Sequence, residues 1–381
     1  MTDRTLLGPA DLDDTALTGL VADLLGHPAD AVTLGPTAVE RVAYDVPALT
    51  TVGRWWVSGT ARTPAGEEPW RVFVKHVQAW RHSAFFVHVP EPAREMAAAG
   101  LPWHNEAAAY RSGLADRLPD GLSMPRALAV VDLDPALCPD SWVAWLEDVT
   151  RPEVAWDLAR YERAAHLLGR LAGSRDVRPL AGVGGFDWSV ARYVTGRLRF
   201  QVLPALADPS LWEHPVVGPA FADVRGEMLA ATADLDALTA EVDAAATFPS
   251  HGDACPANLL PGDGPDSFTM IDLGFWQPQA LGFDLTQLVA GALQLGTPPP
   301  VDLPTLSRAC VAAYADGLAA EGHPGLEATV RRHHAVLLWL FAGVSAVPFE
   351  QLGAPSEQLA AVCGLRADLV RHSLDLLAAE A

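Results

Sequence analysis

Between residues 251 and 274 the chain reads His251-Gly252-Asp253-Ala254-Cys255-Pro256-Ala257-Asn258 and, further on, Met270-Ile271-Asp272-Leu273-Gly274. An Asp, an Asn five residues later and a second Asp in a short apolar run constrain this stretch strongly. Two carboxylates and an amide oxygen are gathered where the local pattern allows only a loop between two short strands. Transfer of a phosphoryl group requires such a set. One carboxylate receives the proton of the attacking hydroxyl. The second carboxylate and the amide oxygen are hard ligands of the kind magnesium needs. The competing reading is an Asx-rich loop before a buried strand, which predicts none of the upstream features that follow.

Lys75 is the only lysine; all other members of the Lys plus Arg total of 26 are Arg. A lysine is a compact charge on a flexible stem, whereas Arg is a planar fork. The position that kept the ammonium lies in Arg71-Val72-Phe73-Val74-Lys75-His76-Val77, whose β-branched and aromatic residues read as a strand. Alternation puts Phe73 on the same face as Lys75, where its ring could stack on a base or serve as ordinary core. A partner carboxylate is expected on a following helix. Asn105 can cap a helix running through Glu106 to Leu118, stopped by Pro119. Glu106, Tyr110, Leu114 and Leu118 share one stripe of it. A Glu on an apolar stripe should be paired, because burial of a lone charge is costly. Glu95 is the rival candidate, and a first-turn Glu serving the helix dipole is the plainer reading of Glu106.

A length of 381 residues with 50% hydrophobic content allows two compact lobes. Strands are expected at 38–46, 52–62, 70–77, 127–132 and 142–146, after a small leading helix at 12–25. Beyond Asp148 the pattern turns helical: 156–171, 217–246, 283–295, 303–321, 326–347 and 355–379. Cys138, Cys255, Cys310 and Cys363 form no CxxC pair and imply no disulfide framework. With no apolar signal core near the start and no apolar run long enough to span a membrane, a cytoplasmic location and no membrane partner are expected. The net charge of −21 disfavours nucleic acid as a partner and favours cationic small molecules.

These motifs, in order along nearly the whole chain, resemble those of the aminoglycoside phosphotransferase family of small-molecule kinases. The residues that carry the resemblance are Lys75, Glu106, the hinge-like Trp145-Leu146-Glu147-Asp148-Val149, His251-Gly252-Asp253, Asn258, Asp272 and Gly282-Phe283-Asp284-Leu285. The resemblance implies an α+β, protein-kinase-like bilobal fold. It would divide into a helical extension (1–27), a β-rich N-lobe (28–147) and a mostly helical C-lobe (148–381). It implies that Asp253 and Lys75 are catalytic, and that Asn258 and Asp272 hold magnesium. ATP, or alternatively GTP, would be bound with the help of Lys75, Glu106, Phe73 and backbone groups near Leu146 and Asp148. His251 and Asp284 would brace the loop.

Two departures matter. Protein kinases of the Ser/Thr type usually carry Lys two residues after the catalytic Asp, where this chain has Cys255, and no Ala-Pro-Glu tripeptide follows Asp284. A small hydroxyl-bearing substrate is therefore expected in place of a docked protein. There is also no GxGxxG loop near 38–60, so the turn Val46-Pro47-Ala48-Leu49-Thr50-Thr51 would have to cover the phosphates. The Trp-, Arg- and Tyr-rich stretch 186–215 and Trp276 are candidates for an acceptor wall or for packing. An aminoglycoside or other antibiotic as acceptor, with a resistance role, stands beside a primary metabolite (a sugar, choline or homoserine) and a biosynthetic peptide. A non-catalytic nucleotide-binding scaffold is disfavoured, because Lys75, Asp253, Asn258 and Asp272 are all present.

Overall fold

In the computed structural model, residues 4–43 and 49–381 are described. They form a mixed α+β chain of two compact units: 1–116 with 124–150, and 117–123 with 151–381.

The first unit is built on a five-stranded antiparallel sheet, in the order Thr33–Arg41, Thr51–Thr63, Gly66–Gln78, Ser141–Glu147, Ala127–Asp132. Alternation along the two central strands sorts the side chains. Val72, Val74, Val143 and Trp145 pack with Trp55 and Val57 against Leu17, Leu20 and Val21 of the helix Asp14–Leu25. On the opposite face Val77, Trp142, Ala144 and Leu146 pack with Ala107. One buried indole nitrogen is satisfied on each face: Trp145 Nε1 donates to the Ala10 carbonyl at 3.2 Å, and Trp142 Nε1 to the Trp103 carbonyl at 2.7 Å.

The second unit is mainly helical. Leu158–Gly173 begins at Asp157, whose carboxylate accepts from the Arg160 N–H, and packs on Leu303–Ala320, capped in the same way by Asp302. These two helices approach backbone to backbone. A methyl group on Gly169 would lie 2.1 Å from the Tyr314 carbonyl oxygen, and one on Gly317 equally close to that of His166. The core behind them centres on Phe221, Trp339, Leu340 and Val370. No helix among the described residues is long and apolar enough to cross a membrane.

Several expected helices are shorter. The one starting at Asn105 ends at Arg111, because Gly113 takes φ +74° and the chain resumes as a 3-10 turn over Leu114–Arg117. Asn105 is the first helical residue and not its cap. The expected helix 217–246 is three pieces, Val217–Ala220, Arg225–Ala231 and Leu235–Asp243. At one break the Thr232 hydroxyl donates to the Leu229 carbonyl, a local bond that competes with helix continuation. The helix Glu327–Leu338 widens into a π-type turn over Trp339–Gly343 well before Pro348.

Buried between these last helices, Ser307 Oγ lies 2.7 Å from His372 Nε2 and 3.3 Å from His334 Nε2. Burial pushes His334 down to about 3 and His372 to about 4, so both rings are neutral in the folded chain. An unfolded histidine titrates near 6.5. Between these limits the unfolded chain binds protons that the folded one refuses. Stability is therefore full above pH 6.5 and falls as the pH drops towards 4, by several kcal/mol for the pair as an order of magnitude. Urea midpoints at pH 7.5 and pH 5 should show that loss, and His334→Gln with His372→Gln should flatten it. An unchanged slope in the double variant would locate the acid sensitivity elsewhere.

Candidate active site

Lys75 sits mid-strand in the first unit, opposite Ala144 on one neighbour and Arg54 on the other. Its Nζ lies 2.6 Å from Glu106 Oε2, with side chains 7% and 4% exposed. The helix Asn105–Arg111 is short, yet its first turn is enough to aim Glu106 at the sheet. Burying two charges is affordable only when they are matched, so this pair reads as a positioned ammonium and not as a stabilising staple. Glu95 lies in a separate short helix, Arg94–Ala99, without buried residues. Phe73 lies on the Lys75 face, half-buried and edge-on to Trp56 at 5.1 Å between ring centres. Leu146 is buried at the end of its strand. The Asp148 carboxylate accepts from Arg71 at 3.2 Å and from the Thr150 N–H at 2.8 Å. Of the turn expected over phosphates, residues 46–48 lie outside the described residues.

In the second unit the strand Thr247–Ser250 leads into the loop. Asp284, 1% exposed in the first turn of Phe283–Gln294, organises it. Its carboxylate accepts from Ser250 Oγ (2.8 Å), His251 N (3.0 Å) and Gly252 N (2.8 Å). Burial pushes this carboxyl up, and the three donors oppose that by favouring the anion. His251 is fully buried; its Nε2 donates to the Ile271 carbonyl at 3.1 Å while Nδ1 accepts from the Asp253 N–H at 3.2 Å. Burial lowers its basicity, so the ring is a neutral spacer between the two Asp-bearing segments. Gly252 takes φ +82°, and a methyl group there would lie 2.2 Å from the Phe275 carbonyl oxygen. Only glycine lets the loop lie against the turn that follows Asp272.

Asn258 Nδ2 donates to the Asp253 carbonyl at 2.8 Å and to its carboxylate Oδ2 at 3.0 Å. The amide nitrogen is thus engaged, and the amide oxygen is the atom left to meet a cation. Asp272 stands at φ 59°, ψ 57°, a left-handed conformation unusual for a side-chain-bearing residue. Such strain is found where a side chain must be held in one direction. Burial, and next the negative charge of Asp272, push the Asp253 carboxyl up to about 7. Two carboxylates that raise each other's cost, with an amide oxygen beside them, form an all-oxygen set. It fits magnesium, which takes one or two protein carboxylates and completes its shell with phosphates and water. Among the described residues no cluster of three or more His, Cys, Asp or Glu could hold a metal ion.

Cys255 packs onto the following helix: a methyl group on Gly291 would fall 2.6 Å from its Cβ. Burial pushes its thiol up to about 12, so it is no nucleophile. Trp276 is fully buried and donates to the Leu180 carbonyl at 2.9 Å. In the 186–215 stretch, Arg192 and Arg199 are paired with Asp187 and Asp236, so their charges are already met. Trp188 packs against Phe283 and Phe341. Sequence reasoning did not find Ser250 as the third donor to Asp284; a hydroxyl just before His-Gly-Asp was the available signal.

No protein-family model matches the chain, and no curated protein matches it. Among solved structures it is similar to the GDP and kanamycin complex of APH(2")-IIia, with 13% identity over 96% of this chain and 97% of that one and a TM-score of 0.48. It is also similar to the amicoumacin kinase hAmiN in complex with AMP-PNP and calcium (13% identity, 97% and 96% covered, TM-score 0.45). A third is the aminoglycoside phosphotransferase APH(3'')-Id from Streptomyces rimosus (19% identity, 87% and 98% covered, TM-score 0.41). These are the kinds of protein that the sequence motifs resemble. At such identities and scores, the functional reading rests on the geometry of the site.

Substitutions at Lys75, Glu106 and Gly252 probe that geometry. Glu106→Ala leaves the buried ammonium without the carboxylate at 2.6 Å and should cost about 3–5 kcal/mol in urea unfolding, whereas Lys75→Met with Glu106→Leu should restore most of it. A single-variant loss under about 1 kcal/mol, typical of exposed pairs, would show that the pair is not desolvated. Gly252→Ala should abolish turnover and lower the melting temperature, since both the positive φ and the Phe275 contact forbid a side chain. Full activity in that variant would mean that the loop is not held as described.

Proposed function

We propose that the protein is an ATP- and magnesium-dependent phosphotransferase that moves the γ-phosphoryl group to a hydroxyl of a small molecule. One observation carries the reading: Asp253, clamped by Asn258 and placed within the field of Asp272, on a loop whose backbone donors are fixed by Asp284. A carboxylate held in one orientation on a braced loop, beside a second carboxylate, is the arrangement a general base needs.

Asp253 orients the acceptor hydroxyl and takes its proton as the acceptor oxygen attacks the γ-phosphorus. The bond from that phosphorus to the β-phosphate oxygen breaks, and ADP leaves with the electron pair. Asn258, through its bond to Oδ2, holds the Asp253 carboxylate in one orientation and presents its own amide oxygen. Asp272 and that oxygen would hold magnesium, which when bound neutralises charge on the phosphate oxygens. Lys75, steadied by Glu106, would anchor the nucleotide phosphates. The backbone near Leu146 and Asp148 and the ring of Phe73 would meet the base; ATP is favoured here, with GTP as the alternative.

For the acceptor, a cationic antibiotic such as an aminoglycoside is the preferred class. The net charge of −21 would steer it. A neutral metabolite is the second reading, and a cytoplasmic resistance role goes with the first.

The test is magnesium-dependent ADP release by wild type and Asp253→Ala against a panel of aminoglycosides, sugars and amino alcohols. Acceptor-stimulated release should fall by about 10²–10⁴-fold in the variant, with ATP affinity nearly unchanged. A variant keeping half the wild-type rate would remove Asp253 from this role.

A further inference from the structure

The strand Thr51–Thr63 sets Arg54 directly opposite Lys75 on the neighbouring strand Gly66–Gln78. Residues paired in this way across an antiparallel ladder point to one face, with Cβ atoms about 5 Å apart. It is the face that carries Phe73: Trp56, two residues after Arg54, meets the Phe73 ring edge-on at 5.1 Å. Arg54 is half-buried there and not sealed in the core.

Two cations set opposite one another in a sheet repel, and such pairs destabilise it. Glu106 Oε2, 2.6 Å from Lys75 Nζ, balances the ammonium. On its other flank Lys75 is paired with Ala144, which brings no charge. Arg71, further along the same face, stacks on Trp56 at 3.8 Å and bonds the Asp148 carboxylate at 3.2 Å. A chain with 47 acidic residues against 26 basic ones therefore sets an arginine beside its only lysine. That juxtaposition suits an anion with more than one negative charge.

The backbone is shaped to aim Arg54. The ladder is regular from Thr63 back to Gly53 and then slips by one residue at Val52. A bulge of this kind bends the strand and re-aims the side chains beside it. Gly53 permits it, since a methyl group there would lie 2.3 Å from the Trp55 ring. The bulge follows directly on the turn where a kinase-type chain carries its glycine-rich phosphate loop, and this chain has no GxGxxG there.

We infer that Arg54 is a second anchor for the nucleotide phosphates, its guanidinium fork taking oxygens that a glycine-rich loop would otherwise hold. The inference rests on the phosphotransferase reading and adds a binding residue to it.

Calorimetric titration of the full chain with magnesium–ATP and magnesium–GTP, and with adenosine and guanosine, tests this. Arg54→Met should weaken the favoured triphosphate about tenfold or more, as expected for loss of a hydrogen bond to a charged group, and leave its nucleoside unchanged. Arg54→Lys keeps the charge without the fork and should recover part of the loss. Equal triphosphate binding by wild type and Arg54→Met would overturn the assignment. So would an equal loss of triphosphate and nucleoside, which marks Arg54 as structural. The double variant Lys75→Met with Glu106→Leu keeps the two readings apart. Weaker triphosphate binding there, with none in Arg54→Met, sinks the Arg54 anchor alone, whereas a wild type that binds neither triphosphate sinks the phosphotransferase reading with it.

Discussion

The Asp284 carboxylate holds the loop that carries Asp253. It gathers a hydroxyl and two successive backbone N–H groups at one point, so the chain from Ser250 to Gly252 has one conformation available. His251 transmits that order across to Ile271, and the next residue is Asp272. Buried anions are expensive unless fully hydrogen-bonded; here the expense is met by donors whose placement is the purpose of the arrangement. Asp253 and Asp272 then face one another's charge because the backbone on either side of each cannot relax.

The same logic of matched burial appears in the first unit, in a different form. Lys75 and Glu106 are held in a sheet-and-helix interior where either alone would be intolerable. A hydrophobic pair would serve stability as well, so the retention of charge speaks for function. The strand that carries Lys75 separates two environments by simple alternation: Phe73, Lys75 and Val77 face one side, and Val72, Val74 and His76 the other.

Much of this was legible in the sequence because it is local or periodic. The strand around Lys75, the amphipathic helices and the loop bearing Asp253 and Asn258 follow from patterns a few residues long. Where reading went astray, a tertiary or short-range backbone effect had intervened. Gly113 cut the Glu106 helix, and Thr232 broke another by bonding its own turn.

By itself, then, the sequence determined which chemical groups are present and how they are spaced: one lysine, one His-Gly-Asp loop, one Asn and one further Asp, on an alternating sheet and apolar helices. Spacing along the chain is enough for that, since strand and helix periods are properties of the backbone. Only the tertiary structure decided that Glu106 and not Glu95 meets Lys75, that Asp253 is pushed towards neutrality, and that Cys255 is inert. Each of these depends on burial and on neighbours far away in sequence, and desolvation and Coulomb terms are set by three-dimensional distance, which no local pattern records.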